Sequence, residues 1–158
     1  MLINLVSTRF NNETWEENLN YRKKYNIACI YGVPLEFSEH ILIDSNVFVL
    51  EMNNSKNIIE GIGLIKNRPC LDKYYKIYKE GNYNRYIYKS NYYLSREQLL
   101  KSNEEIVSIF DYLLFKQKTH LKRGSGFTTV PEKLLNLFIR ENMNVKRTLR
   151  DLFIQYFT

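Results

Sequence analysis

Apolar positions along the chain fall into short runs broken by polar turns, and their period changes from segment to segment. Residues 2–6 (LINLV) form an apolar run of strand length. Trp15, Leu19 and Tyr21 or Tyr25 then give one apolar face to a helix ending near Tyr25. Asn12 or Thr14 is the expected cap; Thr14 and Glu17 have capping-box spacing, and Glu16 and Glu17 suit the positive end of the helix. Residues 27–31 (IACIY) read as a second strand, stopped by Gly32 and Pro34. Residues 40–43 are a short strand or a turn. Residues 46–52 (NVFVLEM) and 58–66 (IIEGIGLIK) read as a hairpin, and the intervening Asn53-Asn54 tolerates positive φ. Gly61 and Gly63 weaken the return strand unless something approaches closely or the strand bends. A bend in a small barrel is the expected reason.

The second half is more helical. Residues 71–84 are basic and tyrosine-rich, and 85–93 (RYIYKSNYY) alternate as a strand does. Ser95 with Gln98 has capping-box spacing and starts a short helix. A helix over 103–115 carries Ile106, Ile109, Phe110, Leu113 and Leu114 on one face. Pro131 opens another (PEKLLNLF) from a first-turn position. Residues 144–157 predict a final amphipathic helix with Leu149, Leu152, Phe153 and Tyr156 as its stripe. No linker or repeat divides residues 1–158, so one domain is expected, with 144–157 as a C-terminal helical appendage.

At 158 residues, 44% hydrophobic and 25% charged, the chain can bury a core and does not have the composition of disorder. No apolar run is long enough to span a membrane, and residues 1–18 lack a secretory signal pattern. An intracellular setting (cytoplasm, nucleus or virion) is expected, with Cys29 and Cys70 as free thiols. The net charge of +6 favours phosphates and other anionic partners. It is tempered by a surplus of Asn, Lys, Ile and Tyr, the residues that AT-rich coding supplies in large DNA viruses, phages and some protists.

Candidate chemistry is sparse. No nucleophile elbow or phosphate loop is present, and His40 and His120 are isolated, so neither a metal nor another cofactor is expected. Asp44, Glu51 and Glu60 are carboxylates in or beside the hairpin, with no spacing that marks a catalytic pair. Lys122 and Arg123, followed by Gly-Ser-Gly, either bring charge and backbone amides to a phosphate or form an ordinary exposed turn. Trp15, Tyr31, Tyr74, Tyr75 and Tyr78 supply faces on which bases stack, or they serve as core. Tyr31 is the best placed, because Gly32 and Pro34 fix a corner after it.

The order of these pieces resembles the PUA-like superfamily, especially its EVE and YTH branches. The resemblance runs over residues 2–138: a first strand ending in Ser7-Thr8, a helix with Trp15, IYGVP, the pair VFVLEM and IIEGIGLIK, the aromatic-basic strand NRYIYKS, and RGSGFTTVPEKLLNLF. It implies an α+β fold, a mixed β-barrel with flanking helices. It also implies a non-catalytic nucleic-acid-binding module with a pocket for an extruded or modified base. Carried across, Tyr31 takes the position of the pocket aromatic, usually Trp, and Gly32, Val33 and Pro34 match the corner. Ser7, Thr8 and Trp15 belong to the ligand side. Lys122, Arg123, Ser125 and Arg85 belong to the RNA or DNA side. Asp44-Ser45 replaces the usual Gly-Asp, and the further cage aromatics of a methyl-base reader have no counterpart. Two other readings stand beside this one. The first is a structural or interaction protein, such as a virion component, that meets a protein partner or its own copy through the C-terminal helix. The second is a small hydrolase or nuclease of the ASCH branch.

Overall fold

The computed structural model describes residues 3–118, 120–137 and 143–158. Strand β1 (Asn4–Phe10) leads into helix α1 (Asn12–Tyr25) and strand β2 (Cys29–Val33). The hairpin β3 (Asn46–Asn53) and β4 (Ile58–Lys66) follows. A 3-10 turn (Gly81–Asn84) precedes β5 (Tyr86–Ser90) and β6 (Tyr92–Ser95). Then come α2 (Arg96–Ser102), α3 (Glu104–Asp111), a π-helical turn (Tyr112–Lys116), the short β7 (Thr128–Thr129), α4 (Glu132–Asn136) and α5 (Val145–Phe157).

The strands make an open mixed sheet in the order β6-β4-β3-β1-β7, with β1 and β3 parallel and the other neighbours antiparallel. β2 and β5 pair separately as an antiparallel ribbon. The α+β class is as expected. The closed barrel is corrected: among the described residues β6 and β7 are edges, and no ladder joins the ribbon to the sheet. Asn91 alone separates β5 from β6, so ribbon and sheet meet at one corner.

Residues 47–53 of β3 are all buried, because both faces of the sheet are covered. Leu5, Phe48, Leu50, Met52, Ile59 and Ile62 face the C-terminal helices. Val6, Phe10, Val47, Val49 and Ile65 face the ribbon side. The 144–157 segment, expected as an appendage, places Val145, Leu149, Leu152 and Phe153 in the first of these clusters. Among the described residues no helix is long and apolar enough to cross a membrane.

Caps and turns follow the sequence closely, with local shifts. Asn11, not Asn12 or Thr14, caps α1, and Thr14 returns the reciprocal bond. A short amide so close to the first turn reaches the backbone N–H of Thr14 at 2.8 Å. Ser95 and Gln98 form the expected capping box. In the hairpin turn the positive φ falls on Asn57, not on Asn53 or Asn54. Pro131 is the residue before α4, and Phe138, the end of the predicted helix, lies outside the described residues.

The two glycines of β4 admit a close approach, and the register against β3 also shifts beside Gly61, where Glu60 is the extra residue. A Cβ at Gly63 would stand 2.2 Å from the Tyr31 hydroxyl, and one at Gly61 would stand 2.1 Å from the Tyr93 hydroxyl. The strand gives up two side chains so that two phenols can reach Glu51 across it. Gly63→Ala is expected to cost about 1–3 kcal/mol, as overpacking of a filled core does. Tyr31→Phe removes the nearest clashing atom, so the double variant should lose less than the sum of the two singles in urea unfolding. Simple additivity would mean that the glycine serves something other than this contact.

Candidate functional site

Three segments meet where β1 ends. Phe10 is followed at once by the cap Asn11, so the N-terminus of α1 sits at the carboxyl end of β1. The hairpin turn is tied to the same place: Asn54 N–H donates to the Phe10 carbonyl (2.7 Å) and Asn12 N–H to Ser55 Oγ (3.0 Å). The 121–128 loop closes the third side. Arg9 holds that loop with its whole guanidinium: Nε donates to Gly124 O (3.0 Å), Nη1 to Leu121 O (3.3 Å), and Nη2 to Gly126 O (2.8 Å) and Thr128 Oγ1 (2.9 Å). Gly124 and Gly126 have φ of +110° and +71°, which side-chain-bearing residues rarely adopt. Asn54 Nδ2 adds a bond to the Lys122 carbonyl. Burial lowers the Arg9 pKa, and its contacts are all to neutral oxygens.

Between these segments lies a cleft of about 290 Å³. Thr8, Asn11, Thr14 and Ser125 give it polar walls; Phe10, Tyr78 and Tyr83 give it aromatic ones. No carboxylate and no lysine lines it. Tyr78 and Tyr83 meet edge to face with centroids 6.4 Å apart, and Tyr83 is 37% exposed.

Gly32 forms the back of the cleft, and its backbone is turned outward. Its partner Ile87 gives its carbonyl to the Cys70 N–H (2.7 Å), away from β2. The Gly32–Ile87 pair is therefore the non-hydrogen-bonded kind, and the Gly32 N–H and C=O point away from β5. The neighbouring Ile30 carbonyl, two residues back on that edge, is taken by Asn18 Nδ2. Among the described residues neither Gly32 group has a partner. A side chain here is impossible without movement, since a Cβ would stand 2.1 Å from the Tyr83 carbonyl.

Behind the cleft is a buried polar network. Glu51, fully buried, accepts from Arg22 Nη2 (2.6 Å) and Tyr31 (2.7 Å) at one oxygen and from Tyr93 (2.7 Å) at the other. Arg22 Nε donates to Asn18 Oδ1, and Asn18 in turn donates to the Tyr78 hydroxyl (2.8 Å). The Arg22 guanidinium also lies over Trp15, Tyr31 and Tyr93 at 4.9–5.7 Å. Burial works against the Arg22 charge, but Glu51 and the two phenols outweigh it and leave its pKa raised. Cys29 is buried beside this network and Cys70 is half-buried; both are free thiols.

The chain matches no family model, no curated protein and no solved structure.

The geometry sorts the expected site residues. Thr8, Tyr31, Gly32 and Ser125 come together at the cleft. Tyr31 is not an open platform: it is 1% exposed and its hydroxyl is committed to Glu51. Val33 and Pro34 flank the cleft through contact with Gly126. Trp15 lies one layer back, edge-on to Phe10. Ser7 is buried and sits in β1 between Val6 and Thr8, on the alternate face of the strand and away from the cleft lining. Lys122 and Arg123 belong to the clamped loop without lining the cleft, and exposed Arg85 lies over Tyr86. The three carboxylates are not a group: Asp44 pairs with Arg68 at the surface and Glu60 accepts from Asn53. Among the described residues no three His, Cys, Asp or Glu could hold a metal. Arg9, Phe10, Tyr83 and the Asn18–Arg22 pair escaped sequence reasoning. Glu51 inside an otherwise apolar strand was the one visible signal that a buried cation had to exist.

Proposed function

We propose that the protein is a PUA-like nucleic-acid-binding module whose cleft receives one extruded base from a single-stranded or distorted segment. The observation that carries this reading is the free donor–acceptor pair of Gly32 at the back of an aromatic-walled, carboxylate-free cleft. The Watson–Crick edge of every nucleobase offers a donor and an acceptor side by side, and the N–H and C=O of one extended residue, which point the same way, complement them. Thr8 and Ser125 hydroxyls can serve either role, so plain and modified bases both have partners. The near-junction of β5 with β6 supports a barrel-like curl of the ribbon onto the sheet. The net charge of +6, with Lys122 and Arg123 in the loop beside Ser125, supports salt-dependent phosphate attraction. The hydrolase reading draws no support from the lining, which lacks both carboxylate and lysine.

Stacking moves from Tyr31 to Tyr83, with Tyr78 as the fixed ring behind it. Base–aromatic stacking of this kind contributes about 1–3 kcal/mol. Tyr83→Ala should weaken binding of fluorescein-labelled single-stranded RNA and DNA oligonucleotides by roughly tenfold or more, with an unchanged melting temperature. Paired probes with and without one methylated base test the modified-base preference. Lys122→Ala with Arg123→Ala should weaken all probes alike and flatten the salt slope by about one per lost contact. Wild-type protein that binds none of these probes at low salt would end the nucleic-acid reading. Binding indifferent to Tyr83→Ala would end the base-pocket reading.

A further inference from the structure

A second depression lies at the other end of the strands. It is a groove of about 750 Å³ between α5 and the outer part of β4 and β6. Phe48, Leu64 and Phe153 form its floor, and Tyr92, Ile154 and Phe157 its walls. The walls are open to solvent: Tyr92 is 49% exposed, Ile154 51% and Phe157 38%. Its rim carries Lys66, Arg68, Lys89 and Arg150, and no Asp or Glu side chain lines it. Lys66 and Lys89 have no carboxylate partner among the described residues; Arg68 and Arg150 meet exposed aspartates.

We propose that this groove docks an acidic, amphipathic peptide segment of a partner protein. An apolar trough ringed by cations fits a segment that presents apolar side chains on one face and carboxylates beside them. Charge complementarity selects among occupants. A second copy of this chain would bring Lys66 and Lys89, which no aspartate offsets, toward their equivalents across an isologous contact, in a molecule already at +6. Nucleic acid would suit the cations but not the rings. Tyr92 meets Phe157 edge to face (5.3 Å, 84°), and Phe48 meets Phe153 in the same way (5.0 Å, 69°), so the rings are occupied with one another. The groove begins at Ile3, before β1, and the cleft at Thr8, near its end. A partner on α5 therefore leaves the cleft open, and the two sites together make an adaptor.

The test is a random peptide-display library panned on the protein and counter-selected on Ile154→Glu. Ile154 is half exposed, so this variant should melt as the wild type does. Enriched sequences should carry apolar residues at one-face spacing together with a surplus of Asp and Glu. In fluorescence polarisation a representative labelled peptide should lose roughly tenfold or more in affinity with Ile154→Glu, and again with Lys66→Glu and Lys89→Glu together. High salt should weaken it, and Tyr83→Ala should not, which separates this proposal from the base-binding one. Absence of enrichment, enrichment of basic or uncharged peptides, or indifference to both groove variants overturns it. So does a dimer in light scattering that Ile154→Glu dissolves, which would assign the groove to a second copy.

Discussion

Replacing Arg22 by alanine is expected to remove about 3–5 kcal/mol of stability, because it strands a buried charge. Glu51 has no access to water, and Arg22 is the cation that neutralises it. Two phenols would remain on the carboxylate, but hydroxyl donors do not replace an ion pair in a low-dielectric interior. The arginine does more than carry charge. Its Nε is held by Asn18, and its face covers three aromatic rings. Arg22→Lys should therefore recover little, since a point charge on a flexible stem reproduces neither the fork nor the stacked plane. Replacing both Arg22 and Glu51 by leucine should cost less than either single change, as is common when a buried pair is removed whole. For a chain of this size, a loss of 3–5 kcal/mol is a fall of about 6–20 °C in Tm. Urea unfolding of the two singles and the double measures the coupling. A single variant that loses under about 1 kcal/mol would show that water reaches Glu51.

That network marks the limit of what could be read from the residues. The period of apolar positions located β1, the β3–β4 hairpin, α3 and α5, because those faces are covered by ordinary hydrophobic contact. It succeeded only in part on α1. Of the face expected from Trp15, Leu19 and Tyr21 or Tyr25, Trp15 and Tyr21 pack against the core, yet Leu19 is 42% exposed, and the fully buried positions are Asn18 and Arg22. Polar residues four apart on a helix look like a solvated face unless their partners are known. Those partners, Glu51 and Tyr93 for Arg22 and the Ile30 carbonyl and Tyr78 hydroxyl for Asn18, come from other segments of the chain. The corner expected right after Tyr31 falls later: Gly32 continues β2 and pairs with Ile87, and the strand ends at Val33, before Pro34. The direction of the Tyr31 ring was not legible either, because it depends on the space left by Gly63. The cleft was half visible. Thr8, Gly32 and Ser125 lay in the segments singled out, whereas Arg9 and Tyr83 acquire roles only when the 121–128 loop and the 3-10 turn fold back on the end of β1. One practical consequence concerns Tyr31→Ala. It would excavate the core and free Glu51 from a donor, so loss of binding in that variant would report unfolding and not recognition.

Alkaline pH should unfold the protein steeply, starting near the ordinary tyrosine pKa of about 10. Tyr31, Tyr78 and Tyr93 are held above that value in the folded state, first by burial. For Tyr31 and Tyr93 the adjacent Glu51 charge adds to the shift; for Tyr78 the bond from Asn18 works against it. Above pH 10 the unfolded chain releases these three protons while the folded chain keeps them. Fewer protons are then bound in the unfolded state, so stability falls as pH rises. Each phenol contributes about 1.4 kcal/mol per pH unit in that window, or roughly 4 kcal/mol per unit for the three together. Below pH 10 all three are protonated in both states and the term vanishes. The measurement is the urea midpoint across this range, with tyrosinate absorbance followed in parallel. Exposed phenols such as Tyr74 should ionise gradually, and a second group should ionise only with the unfolding transition. Tyr78→Phe should remove about 1.4 kcal/mol per pH unit of the slope while sparing both phenols on Glu51; the buried Tyr88 phenol and Cys29 thiol, whose pKa values burial also raises, keep their contributions. A midpoint that stays level up to pH 11 would mean that these hydroxyls ionise within the folded protein, against the negative charge of Glu51, and the closed network behind the cleft would have to be abandoned.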